Sequence, residues 1–372
     1  WSNTWTFSMK DVANYWSKVF SNSMYLNNDV NFINQDIGFV TCNPAYIQKT
    51  TNGGQTWTPI FYDYMDRLYG SCFIGSENGW VAGCDEFYYK GSIYRTTDGS
   101  NWTKVFTDTC GFADVKFANE STGWAVGAHA KIIYSSNGGA NWNVQYFERY
   151  EVLRKLMVMN ERRIWAVGDD GYNVRTTDGG LSWNRFSVLD HSVSSMTYTD
   201  SLNLWCCGMN GFIARSTDGG ENWVEQHSCS NSEFNDIQMV DSDYGWIVGR
   251  GFTIRTTDGG QHWSVKDAPT DDYLYALSLL DRQTGWAAGM NGAVIKLRTT
   301  PIGTEDDAPA ISDGCQVFPN PASQIATVRY SLSNGGNVWI EVFNSLGEKL
   351  LSAQPNQPAA IGSNDFVLDV SD

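Results

Sequence analysis

Apolar and polar residues alternate in short runs through most of the chain, which is the pattern of β-strands with one buried face. Leu153–Val158, Ile164–Gly168, 172–176 and 183–187 form four such runs, separated by turns rich in Gly and Asp. No segment of the first 300 residues shows a capped apolar period of 3.6 residues, so helices are not expected there. The pattern predicts a four-stranded antiparallel unit.

This unit recurs about every forty residues, and two series of aromatic residues mark the period. The series are Trp16, Trp57, Trp102, Trp142, Trp183, Trp223 and Trp263, and Phe39, Trp80, Trp124, Trp165, Trp205, Trp246 and Trp286. Seven four-stranded repeats are typical of a β-propeller, a ring of blades around a central channel. The last repeat lacks its fourth strand, and residues 14–20 resemble the missing piece. We therefore expect both ends of the chain to share one blade and close the ring.

A turn motif recurs between the third and fourth strands of each unit, as in Thr176-Thr-Asp-Gly-Gly-Leu-Ser-Trp183. Its Asp or Asn can bond downstream amides, its Gly residues adopt positive φ, and its Trp fills the gap beside the neighbouring strand. The structural residues predicted in the six copies are Asn52, Asp98, Asn137, Asp178, Asp218 and Asp258, with Trp57, Trp102, Trp142, Trp183, Trp223 and Trp263.

These turns resemble the Asp-box, or BNR repeat. Together with strands of the Gly-Trp-Ala-Val-Gly127 type, they resemble the photosystem II assembly and stability factor-like propellers over about residues 11–300. The resemblance implies an all-β fold, with a seven-bladed β-propeller at residues 11–299 closed by an N-terminal strand. It says little about activity, because Asp-box propellers include sialidases as well as non-enzymatic proteins.

The composition changes at Thr299. Residues 300–313 are polar, acidic and contain Pro, which predicts a linker. Residues 314–372 contain Val317-Phe-Pro-Asn-Pro-Ala322 and Val342-Phe-Asn-Ser-Leu-Gly-Glu348, and they resemble the C-terminal sorting domain of the type IX secretion system of Bacteroidetes-type bacteria. The family pattern continues after Leu368-Asp-Val-Ser371 with a turn and a Lys-rich strand, so we expect this domain to be incomplete at its C-terminus.

The sorting-domain resemblance implies a small antiparallel β-sandwich. It also implies export through the periplasm, with type IX translocon and shuttle components as partners. The propeller is then released or attached to the outer surface of the outer membrane. The start at Trp1 is compatible with a leader that has been removed.

Charge narrows the classes of partner. The chain has 41 acidic and 25 basic residues, a formal net charge of -16, which repels nucleic acid and anionic membranes. No run approaches the roughly 18 apolar residues of a transmembrane helix. We expect neither a nucleic-acid partner nor a transmembrane segment.

The eight cysteines allow disulfides between loops on one face of the ring. Their positions relative to the aromatic series predict Cys84 with Cys110, Cys229 with Cys206 or Cys207, and Cys42 with Cys72. Such pairs imply an oxidising compartment. Buried free thiols are the alternative.

Catalytic and metal-binding motifs are weak. The four histidines have no companion motif, so no catalytic residue, metal or cofactor is predicted. A row of basic residues precedes the turn motif, and we expect it to pack against carboxylates of the next unit, with binding of an acidic partner as the alternative. The row is Lys49, Arg95, Arg175, Arg215, Arg255 and Arg298.

Three loops that interrupt the repeat carry the candidate ligand site. They lie on the face that holds the loops after the second and fourth strands, the top face. Their residues are Tyr62, Tyr64, Arg67, Tyr69, Phe87, Tyr88, Tyr89, Lys90, Tyr146, Phe147, Arg149 and Tyr150. Aromatic rings among charges suit a glycan or a protein ligand, although rings of this kind also fill gaps between loops.

The sequence favours a secreted or cell-surface propeller that acts as a non-catalytic binding or scaffold module. The alternative is a glycan-active hydrolase or lyase. Its candidate carboxylates are Asp169, Asp170, Glu148 and Glu151.

Overall fold

The structure is a computed structural model. It describes residues 6–11, 15–20, 25–63, 66–85, 90–226 and 232–297, and in the tail 316–318, 325–332, 338–343, 349–353 and 362–369. The chain divides into two compact units, Tyr15–Arg298 and the pair of segments Trp1–Asn14 and Thr299–Asp372. None of the described residues forms a helix that is long and apolar enough to cross a membrane.

The described residues form 34 strands and three short 3-10 turns. The strands are β1 Thr6–Asp11, β2 Trp16–Phe20, β3 Leu26–Phe32, β4 Gly38–Asn43, β5 Tyr46–Thr50, β6 Thr58–Tyr62, β7 Asp66–Ile74, β8 Asn78–Asp85, β9 Gly91–Thr96, β10 Thr103–Asp108, β11 Phe112–Phe117, β12 Gly123–Gly127, β13 Ile132–Ser135, β14 Asn143–Tyr146, β15 Leu153–Val158, β16 Ile164–Gly168, β17 Val174–Thr176, β18 Asn184–Arg185, β19 Val193–Tyr198, β20 Leu204–Gly208, β21 Ile213–Ser216, β22 Val224–Glu225, β23 Phe234–Met239, β24 Gly245–Gly249, β25 Phe252–Thr256, β26 Ser264–Asp267, β27 Leu274–Leu279, β28 Gly285–Gly289, β29 Val294–Leu297, β30 Gln316–Phe318, β31 Ile325–Leu332, β32 Val338–Phe343, β33 Lys349–Ala353 and β34 Gly362–Asp369. The turns are Asp169–Gly171, Met209–Gly211 and Met290–Gly292.

Seven four-stranded antiparallel sheets form the propeller, as predicted. Blades 1 to 6 are consecutive quartets from β3–β6 to β23–β26, and blade 7 has the order β2-β29-β28-β27. The N-terminal strand closes the ring, with Trp16 opposite Leu297 and Lys18 opposite Ile295. The predicted closure is therefore confirmed.

The core lies between the blades. The aromatic residue of each second strand is almost fully buried, and several stack on the inner strand of the next blade. Trp80 stacks on Phe117 with ring centroids 3.8 Å apart, and Trp286 stacks on Phe32 at 3.5 Å. The repeated aromatics hold each blade to its neighbour.

The row of basic residues belongs to the same packing. The guanidinium of Arg215 lies 4.8 Å from the Trp205 ring and donates to the Gly259 carbonyl of the next blade at 3.3 Å. Lys49 and Arg175 likewise donate to the Gly99 and Gly220 carbonyls of the next blade. Arg175 also forms the expected pair with a carboxylate of the next blade, Glu221, at 2.8 Å, so the row contacts both carbonyls and a carboxylate of the neighbouring turn motif. In blade 7 the strand register places Lys296, not Arg298, in the row.

The turn motif forms the expected hydrogen bonds. The Gly180 amide donates to Thr176 Oγ1 at 2.9 Å, and the Ser182 amide donates to Asp178 Oδ1 at 3.0 Å. Gly179 and Gly180 have φ of 81° and 87°, values that favour glycine. The carboxylate fixes the turn between the third and fourth strands.

The tail unit contains two three-stranded sheets, β1-β32-β33 and β30-β31-β34. Strand β1 pairs antiparallel with β32, from Thr6 opposite Phe343 to Asp11 opposite Val338. This pairing is not marked in the sequence, because β1 lies more than 300 residues from its partner. The arrangement of the two sheets as a sandwich stays a prediction.

Candidate functional site

All seven inner strands carry a β-bulge at the same place, near the end at which the strand begins. A bulge leaves one residue without a pairing partner and turns its side chain away from the regular pleat. In blade 2 the irregularity spans two residues, Tyr69 and Gly70. The residues left unpaired in blades 1 to 7, which we name the bulge ring, are Asn28, Tyr69, Ala113, Arg154, Ser194, Asn235 and Tyr275.

The bulge ring lines a single cavity of about 430 Å³ at the top face. The cavity also contacts Asp169, Asp170 and Met209, which belong to turns between second and third strands. A volume of this size holds a small ligand or a few residues of a peptide. The seven bulges therefore aim one residue from every blade at a shared central cavity.

Hydrogen bonds fix the orientation of three members of the bulge ring. Asn28 Nδ2 donates to the Leu68 carbonyl at 2.6 Å, and Asn235 Nδ2 donates to the Leu274 carbonyl at 2.8 Å, so each amide bonds to the next blade. Arg154 binds Asp169 through two hydrogen bonds, Nε to Oδ1 at 2.9 Å and Nη2 to Oδ2 at 2.8 Å.

Two tyrosines supply the aromatic part of the cavity wall. Tyr69 and Tyr275 come from the blades on either side of the blade that carries Asn28. Tyr275 stacks on Tyr273 at 6.3 Å, and burial raises the pKa of Tyr275 above its ordinary value. The Tyr69 hydroxyl bonds to the Cys84 thiol. The cavity thus has an aromatic arc that faces a polar arc around Arg154.

A cluster of acidic and basic side chains underlies the cavity, with Asp29 and Asp114 buried and the remaining members half-buried. The carboxylates of Asp29, Asp114 and Asp236 each accept a hydrogen bond from an inner-strand amide of the next blade, at 2.7 to 2.8 Å. Lys116 Nζ lies 3.4 Å from Asp114 and 3.9 Å from Asp29.

Lys155, which also lines the cavity, is held in its charged form by the same set of carboxylates. Burial opposes its charge, but the nearby carboxylates of Asp236, Asp29 and Asp114 outweigh this effect and raise the pKa of Lys155. The two lysines and three aspartates compensate one another, so they form a structural floor for the cavity.

The predicted top-face residues divide into groups with different surroundings. Tyr62 stacks on Tyr46 at 4.1 Å, and the Tyr146 hydroxyl bonds to that of Tyr172 at 2.6 Å, so these two rings pack against neighbouring tyrosines. Tyr69 is the one described member that lines the central cavity. Those outside the described residues are Tyr64, Phe87, Tyr88 and Tyr89.

The other predicted residues are more open to solvent. Phe147, Arg149 and Tyr150 are exposed on one loop, where the Arg149 guanidinium lies 5.2 Å from the Tyr150 ring. Lys90 is exposed and Arg67 is half-buried. The bulge ring, apart from Tyr69, was not predicted, because a bulge depends on how two strands pair.

The four carboxylates considered for catalysis have different surroundings. Both oxygens of Asp169 accept from Arg154, so this carboxylate is occupied by a salt bridge. Asp170 lines the central cavity, whereas Glu148 and Glu151 lie on the loop before β15. An acid–base pair would require a carboxylate that can exchange a proton with a ligand, and Asp169 is poorly suited to that role.

The predicted disulfides are wrong for the described cysteines. Cys42, Cys72, Cys84, Cys110, Cys206 and Cys207 all carry free thiols. The Cys42 thiol donates to Asn27 Oδ1 at 3.1 Å, while Cys72 Sγ accepts from the Phe117 amide at 3.3 Å. Burial raises the pKa of Cys42 to about 12, as expected for a thiol that packs as a small apolar group. Cys229 lies outside the described residues.

Two family models match the chain. Residues 94–193 match the photosynthesis system II assembly factor YCF48, and residues 316–372 match the secretion system C-terminal sorting domain. The chain joins a YCF48-like propeller to a secretion sorting domain. The sorting domain supports secretion or surface attachment of the YCF48-like propeller.

A curated relative agrees with this assignment. The photosystem II assembly lipoprotein Ycf48 of Synechococcus sp. (strain CC9902) is 29% identical over 136 residues, 34% of this chain and 39% of the relative. The match thus spans well under half of the curated relative.

Solved structures extend the likeness over the whole propeller. A structure of YCF48 bound to D1 peptide has a TM-score of 0.67 at 22% identity and covers 79% of this chain and 100% of that chain. YCF48 from Cyanidioschyzon merolae has a TM-score of 0.65 at 18% identity, covering 76% of this chain and 99% of that chain. Because these identities are only 22% and 18%, the likeness shows a shared fold and nothing further.

Proposed function

We propose that this protein is an exported propeller that binds a polypeptide ligand in the central cavity of its top face, without catalysis. The bulge ring is the observation that carries the proposal. Packing positions keep one residue type in almost every blade, as the buried Trp of the second strands does. The bulge ring instead presents Asn, Tyr, Ala, Arg, Ser, Asn and Tyr from the same position. A position that varies on a repeated scaffold suits recognition better than packing.

The types of residue in the bulge ring favour a polypeptide. Tyr supplies a large rigid contact area at low entropic cost, and Ser and Asn supply adaptable hydrogen bonds, a combination that protein-binding loops use widely. Arg and Tyr are also enriched at the centres of protein interfaces. The similar structure of YCF48 bound to D1 peptide indicates that a propeller of this fold can hold a peptide.

The ligand is expected to be neutral or basic. The chain has a net charge of -16, and long-range electrostatics therefore favours approach of a partner with positive charge. Export by the sorting domain would bring the propeller to ligands at the cell surface or outside the cell. Engagement with type IX translocon and shuttle components through the tail is part of the same proposal.

Binding can be tested with the full chain and a random 12-residue peptide library displayed on phage. We expect selected peptides to bind wild-type protein, and Tyr275→Ala to weaken them at least about tenfold, as for other aromatic anchors. Leu181→Ala, an exposed change on a turn motif, should leave the affinity unchanged and serves as the control. Isothermal titration calorimetry gives the affinities, and thermal melts check folding.

Two results would contradict the proposal. One is that selected peptides bind Tyr275→Ala as tightly as the wild type, which would place their site elsewhere. The other is that no peptide binds while a glycan array gives ligands or turnover, which would favour the glycan-active alternative.

A further inference from the structure

Backbone strain is concentrated in one sector of the top face. Among the described residues, eight that are not glycine have positive φ, and seven of them lie in loops of blades 3 to 5. The seven are His129 (59°), Ala130 (42°), Tyr150 (78°), Asp170 (52°), Leu189 (52°), Asp190 (58°) and Asn210 (56°), and the eighth is Asn291 (52°) of blade 7. Asn and Asp adopt this conformation readily, whereas for a bulky residue it is costly. Tyr150 and Leu189 therefore carry strain that needs a reason.

The loops that carry this strain form one continuous surface. The Glu148 amide donates to the His129 carbonyl at 3.0 Å, which joins the loop before β15 to a turn of blade 3. The Asp169 amide donates to the Val152 carbonyl at 3.1 Å, which joins the same loop to blade 4. We name residues 128–131, 147–151, 169–171, 186–191 and 209–212 the strained surface.

The strained surface is continuous with the central cavity. A second cavity of about 440 Å³ is lined by Asp170, Arg185, His191 and their neighbours, and Asp170 also lines the central cavity. His191 stacks on Phe212 at 4.1 Å, which links this loop to blade 5. Two adjoining cavities that share one residue form a trough from the bulge ring towards the rim.

Exposed apolar side chains lie along this surface. The exposed fractions are 51% for Phe147, 82% for Tyr150, 45% for Leu189 and 51% for Met209. Side chains so open to water are not explained by packing in the core. Backbone hydrogen bonds hold these loops in place although Tyr150 and Leu189 have strained, positive φ. Strain retained at exposed apolar residues is typical of binding surfaces.

We infer that the strained surface is a second contact region, onto which apolar side chains of the polypeptide ligand dock. This inference rests on the proposed function and adds to it the chemistry of the ligand beyond the central cavity. Phe147 and Tyr150 have rings on which a sugar could stack, but Leu189 and Met209 on the same surface do not, so several apolar side chains of a polypeptide fit the whole surface better than a glycan. The trough accommodates an extended segment that runs from the bulge ring past Asp170 to His191, and Tyr150 and Leu189 lie on adjoining loops of the strained surface.

The test removes side chain and strain together. Tyr150→Gly and Leu189→Gly each delete an apolar contact and place glycine where φ is positive, so the melting temperature should stay the same or rise by about 2 °C. Peptides selected on the wild-type full chain should bind each variant at least about tenfold more weakly. Asn291→Gly is the control, because it also places glycine at a positive φ, 52°, but removes a polar side chain in blade 7, outside the strained surface, and it should alter the affinity less than about twofold.

The outcomes separate this inference from the proposed function. If Tyr275→Ala weakens binding while Tyr150→Gly and Leu189→Gly bind like the wild type, the strained surface is not a contact region and the central cavity still is. If the two glycine variants melt clearly lower and keep their affinity, these residues serve the fold and the inference is wrong. A library that yields no peptide for the wild type would overturn both.

Discussion

Aspartate has two separate uses in the blades, and they differ in exposure. Asp114 is fully buried, and its carboxylate joins two blades through the Leu156 amide and a nearby lysine. Such a group is costly unless every oxygen has a partner. Asp178 is half-buried and Asp218 is exposed, and each accepts hydrogen bonds within its own turn. The hydroxyl and amide of Ser182 hold the pKa of Asp178 well below its usual range, and the amide and side chain of Asn222 do the same for Asp218.

The turn aspartates predict how stability changes in acid. Hydrogen bonds from the backbone and side chain of Asn222 lower the pKa of Asp218 to about 2, against about 3.9 in an unfolded chain. A lowered folded-state pKa means that the contribution to stability is complete above about pH 4 and is lost as the pH falls towards 2. Asp218→Asn keeps a hydrogen-bond acceptor but cannot titrate. Asn already occupies this position of the turn motif in blades 1 and 3, as Asn52 and Asn137.

We expect wild type to be more stable than Asp218→Asn at neutral pH, and the difference to shrink between pH 4 and pH 2. Denaturant unfolding at several pH values measures it. A difference that stays constant down to pH 2 would show that the charge of Asp218 does not stabilise the turn. Asp271→Asn, an exposed change away from the turn motif, is the control and should give no such trend.

At the scale of elements, the strands were predicted well and the bulges were not. Leu153–Val158 and Ile164–Gly168 agree with the structure, because alternation and a buried Trp mark them clearly. The third and fourth strands are shorter than expected, at Val174–Thr176 and Asn184–Arg185, since the outer pair makes few ladder contacts. A bulge depends on how two strands pair, so the residue type at Arg154 alone does not indicate one. Comparing the residue at the same repeat phase in all seven inner strands could have indicated the bulge ring, which is the second residue of the strand in blades 3 to 7 and lies one or two residues later in blades 1 and 2.

Glycine at the end of the second strand makes room for the bulge. A Cβ at Gly168 would lie 1.9 Å from the Val152 carbonyl oxygen, and five other blades show a similar approach, at 1.9 to 2.6 Å. The glycines concerned are Gly83, Gly127, Gly168, Gly208, Gly249 and Gly289. These residues therefore help to set the direction of the bulge ring.

We expect Gly168→Ala to lower the free energy of unfolding by about 1–3 kcal/mol through overpacking. It should also weaken the binding of the selected peptides, because the shifted strand displaces Arg154. Gly75→Ala is the comparison: its Cβ would meet no atom within 4 Å, and its φ is 69°, so it should lose stability and keep affinity. Unchanged affinity in Gly168→Ala would mean that bulge geometry is not needed for binding.

At the scale of the whole molecule, closure and export involve opposite ends of the sequence. The repeat phase predicted that residues 14–20 complete blade 7, and β2 does so beside β29. The pairing of Thr6–Asp11 with Val338–Phe343 was beyond the reach of sequence reasoning, since six residues without a repeat carry no sign of a distant partner. The propeller was thus predictable from its periodicity, whereas contacts outside the period were not.

The closing strand should dominate the stability of the ring. Trp16 is 1% exposed and packs edge-on against Trp246 at 5.2 Å, so deletion of residues 1–20 removes a buried anchor worth about 3–5 kcal/mol and leaves the edge of β29 open. We expect the truncated chain to melt about 10 °C lower and to associate with itself as concentration rises, measured by calorimetry and size-exclusion chromatography. Deletion of residues 1–14, which removes β1 and keeps β2, is the control, and its propeller should melt like that of the wild type.

A synthetic peptide of residues 14–22 provides a sharper form of this experiment. If β2 acts by pairing with β29, the peptide added in trans should raise the melting temperature of the truncated chain in proportion to its occupancy and suppress self-association. The same peptide with Trp16→Ala should fail, because backbone pairing alone does not replace the packing against Trp246. A truncated chain that stays monomeric and melts like the wild type would mean that a ring with a three-stranded blade is self-sufficient, and that the N-terminal strand serves another purpose.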